Sequence, residues 1–426
     1  MNRACLIWTT CVLAGISSAT ATDTLSQREI IAVVVRDNAS VKAARARWEM
    51  MKWRVPQASA WEDLRAGADS VTSRFVNIPA NAFMDQSVML EQELPVSGKN
   101  RSRARAATAE AGAAFEELRR TELDVISRVR VAFARFANGY AQLEVNHHNE
   151  ELLNEYVQIS RSRYETGAAT QADVLIAQTD ATKLLEARAD IERQISEAQS
   201  ALNVLMNRPA QAPLGQPAAP VFAPRELSLE RLQAIAITFR PELQRAQSRI
   251  EAETFRLELA HRQWFPDPAL NVKAQRYNAA AQAVSELDVG ISFPIPWLNS
   301  KKYSAGVLEA RKSVENARHE FDAARVETLG LVRDQLKKIQ TLATQYELYR
   351  DKILPLARQT VEASRAGYEA STGGFLELIT TRRTLQDAES AALNRLADYE
   401  AAVAELNAIV GNGNPKPMPT NSKTSK

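Results

Sequence analysis

The chain has few residues able to do bond-making chemistry. Its four histidines are scattered through 426 residues. His147 and His148 are adjacent, so on a helix they diverge by about 100° and form no chelating i, i+4 pair. His261 and His319 stand alone. Met50-Met51, and Met84 with Met89, are soft ligands by type. Such isolated pairs are more often apolar filler than a metal site. No G-x-S-x-G, phosphate-loop or H-E-x-x-H motif occurs. What remains is charge gathered in two places: Arg161, Arg163 and Glu165, then Arg365, Glu369, Arg382 and Arg383. Partly exposed ion pairs are worth only about 0–1 kcal/mol each, which suits contacts that are made and broken. These residues point to no catalysis, no cofactor and no metal site.

The two charged places lie on two copies of one pattern. "RYETGAATQADVLIAQ" (163–178) and "GYEASTGGFLELITTR" (367–382) are 204 residues apart. At that offset Ser160, Arg161, Tyr164 and Glu165 fall on Ser364, Arg365, Tyr368 and Glu369, and Leu202-Asn203 on Leu406-Asn407. Upstream, Val55-Pro56 matches Phe265-Pro266, and "LPVSGKN" (94–100) matches "FPIPWLNSK" (293–301). A fixed-period self-match is the mark of a duplicated unit. It divides the chain into repeats 22–208 and 225–411, joined by "PAQAPLGQPAAPVFAP" (209–224), whose prolines suit an extended linker. The tail 412–426 is polar and broken by proline, the composition of a disordered segment.

Residues 1–21 have the layout of an export signal: Arg3, an apolar stretch, and Ala19-Thr20-Ala21 as a small-x-small cleavage site. Cys5 and Cys11 both fall within it. The exported part then has no cysteine, which excludes disulfides and thiolate chemistry, and lipidation is not expected. A net charge of +2 gives no field for nucleic acid. No stretch is long and apolar enough for a transmembrane helix.

Each repeat reads as a first helix, two strands, and a long helical hairpin (101–207 and 301–410). Leu184, Ile191, Ala198 and Leu205 repeat every seven residues, as do Leu385, Ala392, Tyr399 and Leu406, with Leu396, Val403 and Val410 four residues on. That spacing means left-handed coiled-coil packing. From Arg101 to Tyr164 the helix is on the order of 95 Å long at about 1.5 Å per residue. The strands are expected at about 60–75, 84–96, 267–278 and 285–296. Leu287, Val289, Ile291, Phe293 and Ile295 alternate with Asp288, Gly290 and Ser292; the other three alternate more weakly. Period-two segments of about ten residues are the signature of a transmembrane β-barrel. Four strands cannot close in lipid. Two copies supply about eight, which fill their own interior, and three supply about twelve, enough for a water-filled bore.

With "RYETGAATQADVL", the junctions "LPVSGKNRSRARAATAEA" and "FPIPWLNSKKYSAGVLEA", and "FLELITTRRTL", the duplicated chain resembles the TolC-like outer-membrane factor family over nearly its whole mature length. The junctions look most like the branch serving heavy-metal (cobalt–zinc–cadmium or copper–silver) efflux. The resemblance implies a mainly α fold with a small β part: a homotrimer with a 12-stranded barrel in outer-membrane lipid, continued by an α-helical coiled-coil barrel in the periplasm. It implies two partners, a periplasmic adaptor and an inner-membrane RND (resistance–nodulation–division) transporter. Under it, Gly167 turns the chain at the tip, Tyr164, Gly167, Asp173, Val174, Leu175, Tyr368, Glu377 and Leu378 meet the adaptor, and Arg161, Arg163, Glu165, Arg365, Glu369, Arg382 and Arg383 are the candidate periplasmic gate. In the second copy Ser371 replaces the family's glycine and Gly373-Gly374 follow, which leaves open a turn shifted by two or three residues. Cargo is open too: the same duct serves drugs, solvents or a polypeptide. A soluble periplasmic coiled-coil scaffold explains the heptads but leaves the strands idle.

Overall fold

The computed structural model describes residues 25–70, 85–225, 227–277 and 284–412. The leader, the far ends of both strand hairpins and the tail 413–426 lie outside these residues. Each repeat begins with a helix broken in two, where one continuous helix is expected from the sequence. In the first repeat the pieces are α1 (Gln27–Asp37) and α2 (Ala39–Ser59). In the second they are α5 (Leu229–Phe239) and α6 (Pro241–Arg262). The causes differ. Asn38 takes extended dihedrals and caps α2, its side chain accepting from the Ser40 and Val41 amides. At the second break Pro241 occupies the first helical position, where its missing N–H costs nothing and the residue before it is pushed out of the helical region.

Four strands follow the same order: β1 (Arg65–Ser70), β2 (Gln86–Glu93), β3 (Ala269–Tyr277) and β4 (Val284–Ser292). They form one antiparallel sheet in the order β1-β2-β3-β4. β1 begins later than its alternation suggests, because α2 continues through Pro56 to Ser59 and Ala60 receives its last turn.

The long helices are α3 (Lys99–Glu165, 67 residues), α4 (Gln171–Leu205), α7 (Ser300–Leu348), α8 (Leu354–Glu369) and α9 (Phe375–Val410). At about 1.5 Å per residue, α3 is on the order of 100 Å long. α7 and α8 are joined without a break by a π-helical turn, Tyr349–Ile353. Pro355 follows at once; it cannot donate to the ladder and its ring crowds the carbonyl four residues back, so the wider turn accommodates it. α3 contains no proline and has no such turn.

α3 is the backbone of the packing. Near the sheet it lies between α2 and α6, and towards the tips between α4 and α9, with α7 and α8 outside α6 and α9. Asn38 joins two of these pieces, its Nδ2 donating to the Leu205 carbonyl at 2.9 Å. The heptad residues are buried in the seams: Leu184, Ile191 and Ala198 on α4, and Leu385, Ala392, Leu396, Tyr399, Val403, Leu406 and Val410 on α9. The linker is pinned. Asn203 Nδ2 donates to the carbonyls of Ala210 at 3.0 Å and Ala212 at 2.7 Å. The Tyr399 hydroxyl donates to the Ala223 carbonyl at 3.0 Å.

Candidate functional site

Two regions have geometry that asks for a partner: the sheet and the hairpin tips. In the sheet the observed register stacks like on like. Ala66 faces Leu90, Leu90 faces Val272, and Val272 faces Val289; Ala68, Val88, Ala274 and Leu287 form the next row. This face is exposed, Leu287 and Ile291 each at 69%. The other face is polar: Arg65 meets Glu91 at 3.4 Å, and Lys273 faces Asp288. An outward apolar face that no described residue covers is what lipid requires. Among the described residues β1 and β4 each have a neighbour on one side only, and an unpaired strand edge is a template for another strand.

Below the sheet the two halves are locked together. Asp267, 5% exposed, accepts from the Ser97 amide at 2.7 Å, the Ser97 hydroxyl at 2.8 Å and Lys99 Nζ at 2.9 Å. Burial by itself would raise the Asp267 pKa, but these donors together hold it below its ordinary value. Arg262 Nη1 donates to the Ser97 carbonyl at 2.9 Å. Gly98 takes φ +74°, and a Cβ there would meet Arg262.

At the first tip Gly167 turns the chain with φ +73°, a left-handed position that costs an L side chain about 1 kcal/mol or more. Thr170 and Asp173 then form a full capping box: the Thr170 side chain accepts from the Asp173 amide and the Asp173 side chain from the Thr170 amide. At the second tip Ser371 itself adopts φ +60°. The turn therefore occupies the same place in both repeats and is not displaced toward Gly373-Gly374.

Of the residues expected at the docking surface, Tyr164 (46% exposed), Gly167, Leu175 (53%) and Glu377 are exposed, and Asp173 and Val174 are half-buried. Tyr368 (6%) and Leu378 (1%) are not surface residues. They correct the expectation: with Phe375 and Ile379 they pack against Leu153, Tyr156, Ala177 and Leu184, so they hold the two hairpins together. Leu376, exposed beside Glu377, was not anticipated.

The charged residues mostly find partners within the chain. Arg161 pairs with Glu165 at 3.5 Å and Arg365 with Glu369 at 2.9 Å, each along its own helix. Arg163 reaches the other hairpin, donating to the Tyr368 carbonyl and the Ser371 hydroxyl, each at 2.7 Å, with its guanidinium over the Tyr368 ring. Arg383 makes a two-pronged pair with Asp180 of α4. Asp180 was missed, although a carboxylate three residues after Ala177 in an apolar seam was a legible signal. Arg382 is buried with no hydrogen-bond partner on any guanidinium nitrogen. Among the described residues no cluster of side chains is arranged to hold a metal.

The sequence profile of the family described as outer membrane efflux protein matches residues 34–208 and 234–412. The chain belongs to this TolC-like family: it is an outer-membrane channel protein with a long periplasmic helical extension, and not an enzyme. The toluene efflux pump outer membrane protein TtgF of Pseudomonas putida is 23% identical over 339 residues, 77% of this chain and 69% of its own. The cobalt-zinc-cadmium resistance protein CzcC of Cupriavidus metallidurans is 25% identical over 218 residues, 51% of this chain and 47% of its own. In fold the chain is similar to the outer-membrane channel OprN, with a TM-score of 0.77 at 16% identity over 91% of this chain and 90% of that one.

Proposed function

We infer that three copies of this chain form a passive exit duct for an efflux pump, closed as a 12-stranded barrel in the outer membrane and continued as a helical tunnel. One observation carries the reading: a four-stranded sheet whose outer face is apolar over its two central rows and whose edges have no partner among the described residues stands on helices about 100 Å long. Lipid admits no open sheet edge, so β4 of one copy pairs with β1 of the next. Twelve strands are the smallest multiple of four that leaves a water-filled bore. Energy comes from an inner-membrane RND transporter, reached through a periplasmic adaptor. The adaptor docks on the exposed tip residues Tyr164, Gly167, Leu175 and Glu377 and the half-buried Asp173 and Val174, joined by Leu376.

The cargo proposed is heavy-metal cations. The strand-to-helix junctions and the match to CzcC favour it; the longer match to TtgF favours an organic-solvent cargo as the second reading. Two experiments test this. Purified protein in planar lipid is expected to conduct ions and to run as a threefold species in mild detergent; a folded single chain without conductance refutes the duct. A deletion strain is expected to lose tolerance to cobalt, zinc or cadmium while keeping its tolerance to toluene. The reverse result replaces the cargo and leaves the duct intact.

A further inference from the structure

Beside the linker, α3 of the first repeat and α9 of the second leave a cleft of about 740 Å³. Much of its wall is apolar: Phe133 and Ala137 on α3, Val221 on the linker, Ala397 and Val403 on α9. Val221 is 78% exposed, so apolar surface in the cleft is left uncovered by the described residues. Three charged side chains converge there: Arg130 from α3, Arg225 from just past the linker, and Glu400 from α9. Among the described residues none of the three makes an ion pair or a side-chain hydrogen bond. Elsewhere the long arginines do find partners: Arg245, Arg256 and Arg383 each reach a carboxylate on another helix.

Arg130 is half-buried, and burial first, then the charge of Arg225, pushes its pKa down. Both guanidiniums nevertheless stay charged, so two like charges face one cleft. Glu400 answers them only in part: burial pushes its carboxyl pKa up, against the pull of Arg225. A mainly apolar cleft with a few convergent polar groups is the common form of a small-molecule site. Arginine's planar fork suits oxyanions, which it binds through two parallel hydrogen bonds. We propose that this cleft binds small organic oxyanions, carboxylates or phosphates that carry a compact apolar group. Arg130 and Arg225 hold the oxyanion, which relieves their repulsion, and the apolar group covers Phe133 and Val221. Asn407, on the α9 wall, supplies a further donor. Inorganic phosphate leaves the apolar wall wet, and an uncharged analogue leaves the arginines unanswered, so both bind more weakly. The site is formed within a single chain and does not depend on the duct reading. An occupant touches α3, the linker and α9, and so ties the two repeats together.

The test is calorimetric titration of the full-length protein in uncharged detergent with benzoate and with phenyl phosphate. Benzyl alcohol, benzylammonium and inorganic phosphate are the comparison probes. At least one of the two aromatic anions is expected to bind saturably, roughly tenfold or more tighter than each comparison probe, and to raise Tm as its concentration rises. Which of the two binds tighter identifies the head group as carboxylate or phosphate. Arg225→Gln and Arg130→Gln are each expected to weaken that binding by roughly tenfold or more. Glu400→Gln removes the opposing charge and is expected to tighten it a few-fold. Absence of saturable binding by both anions overturns the proposal, as does equal binding of benzyl alcohol. Binding unchanged in Arg225→Gln places the oxyanion elsewhere and overturns it too. If Arg130→Gln does not fold, Arg225→Gln, at an exposed position, decides alone. Conductance plays no part in the readout, so failure of the duct reading leaves this result standing.

Discussion

The two repeats share a plan and differ in where they are held. The first hairpin tip is built from local rules: a glycine in the left-handed region and a capping box, with its large apolar residues Tyr164 and Leu175 turned to solvent. The second has serine in place of glycine at the left-handed position and no side-chain cap. It is kept in place from outside, by Phe375, Leu378 and Ile379 in the first hairpin's apolar cluster and by Arg163 on Ser371 and the Tyr368 carbonyl. At the strand-to-helix junctions the balance reverses. Asp267 of the second repeat locks the first repeat's Ser97 and Lys99, whereas its sequence counterpart Gln57 is exposed. After duplication, one copy of each feature folds on its own and the other leans on its twin. The first tip keeps its shape by its own residues, and the second depends on contacts that its twin supplies.

Mutations break this comparison most sharply at the junction. Asp267→Ala is expected to cost roughly 3–5 kcal/mol, because it leaves the mostly buried Lys99 ammonium without its partner, while Gln57→Ala costs about zero; denaturant unfolding measures both. Next come the tips. Leu378→Ala is expected to cost about 2–5 kcal/mol and its half-buried counterpart Val174→Ala roughly 1 kcal/mol. Equal losses would mean that the two tips are supported alike. Gly167→Ala is expected to cost about 1–2 kcal/mol from backbone strain alone, since its Cβ meets nothing within 4 Å. Ser371→Gly relieves the same strain but gives up one exposed hydrogen bond, so its net change is smaller, about 0.5 kcal/mol or less in either direction. Thr170→Ala removes a cap worth about 1 kcal/mol and has no equivalent in the second repeat.

The smallest effect is set by pH. The Asp267 carboxyl titrates lower in the folded protein than its ordinary value of 3.8. Its stabilisation is therefore fully present above that value and is lost as pH falls through the folded-state pKa. Acid unfolding of Asp267→Asn is expected to show a shallower pH dependence below about pH 4 than the wild type. Identical slopes would place the acid-sensitive contact elsewhere.

Much of the architecture is local and was legible as such. Gly167, the Thr170-x-x-Asp173 pattern, the sevenfold series on α4 and α9 and the alternation of Leu287 to Ile291 each report a backbone state dictated by neighbouring residues, and duplication let one copy be read against the other. The breaks at Asn38 and Arg240-Pro241 were hidden, because a helical period runs through both and only the cap and the proline betray them. What tertiary structure alone decided is which equivalent residues face inward. Tyr164 and Tyr368 occupy the same place in the repeat, yet one is exposed and the other buried. The chain's own periodicity cannot say which of two like helices has a neighbour. The same holds for Arg382 and Arg383, whose partners, present or missing, come from other helices. Sequence by itself determined the elements and their order through propensity and period; the assignment of faces waited on long-range packing, because burial is a property of the pair and not of either strand or helix alone.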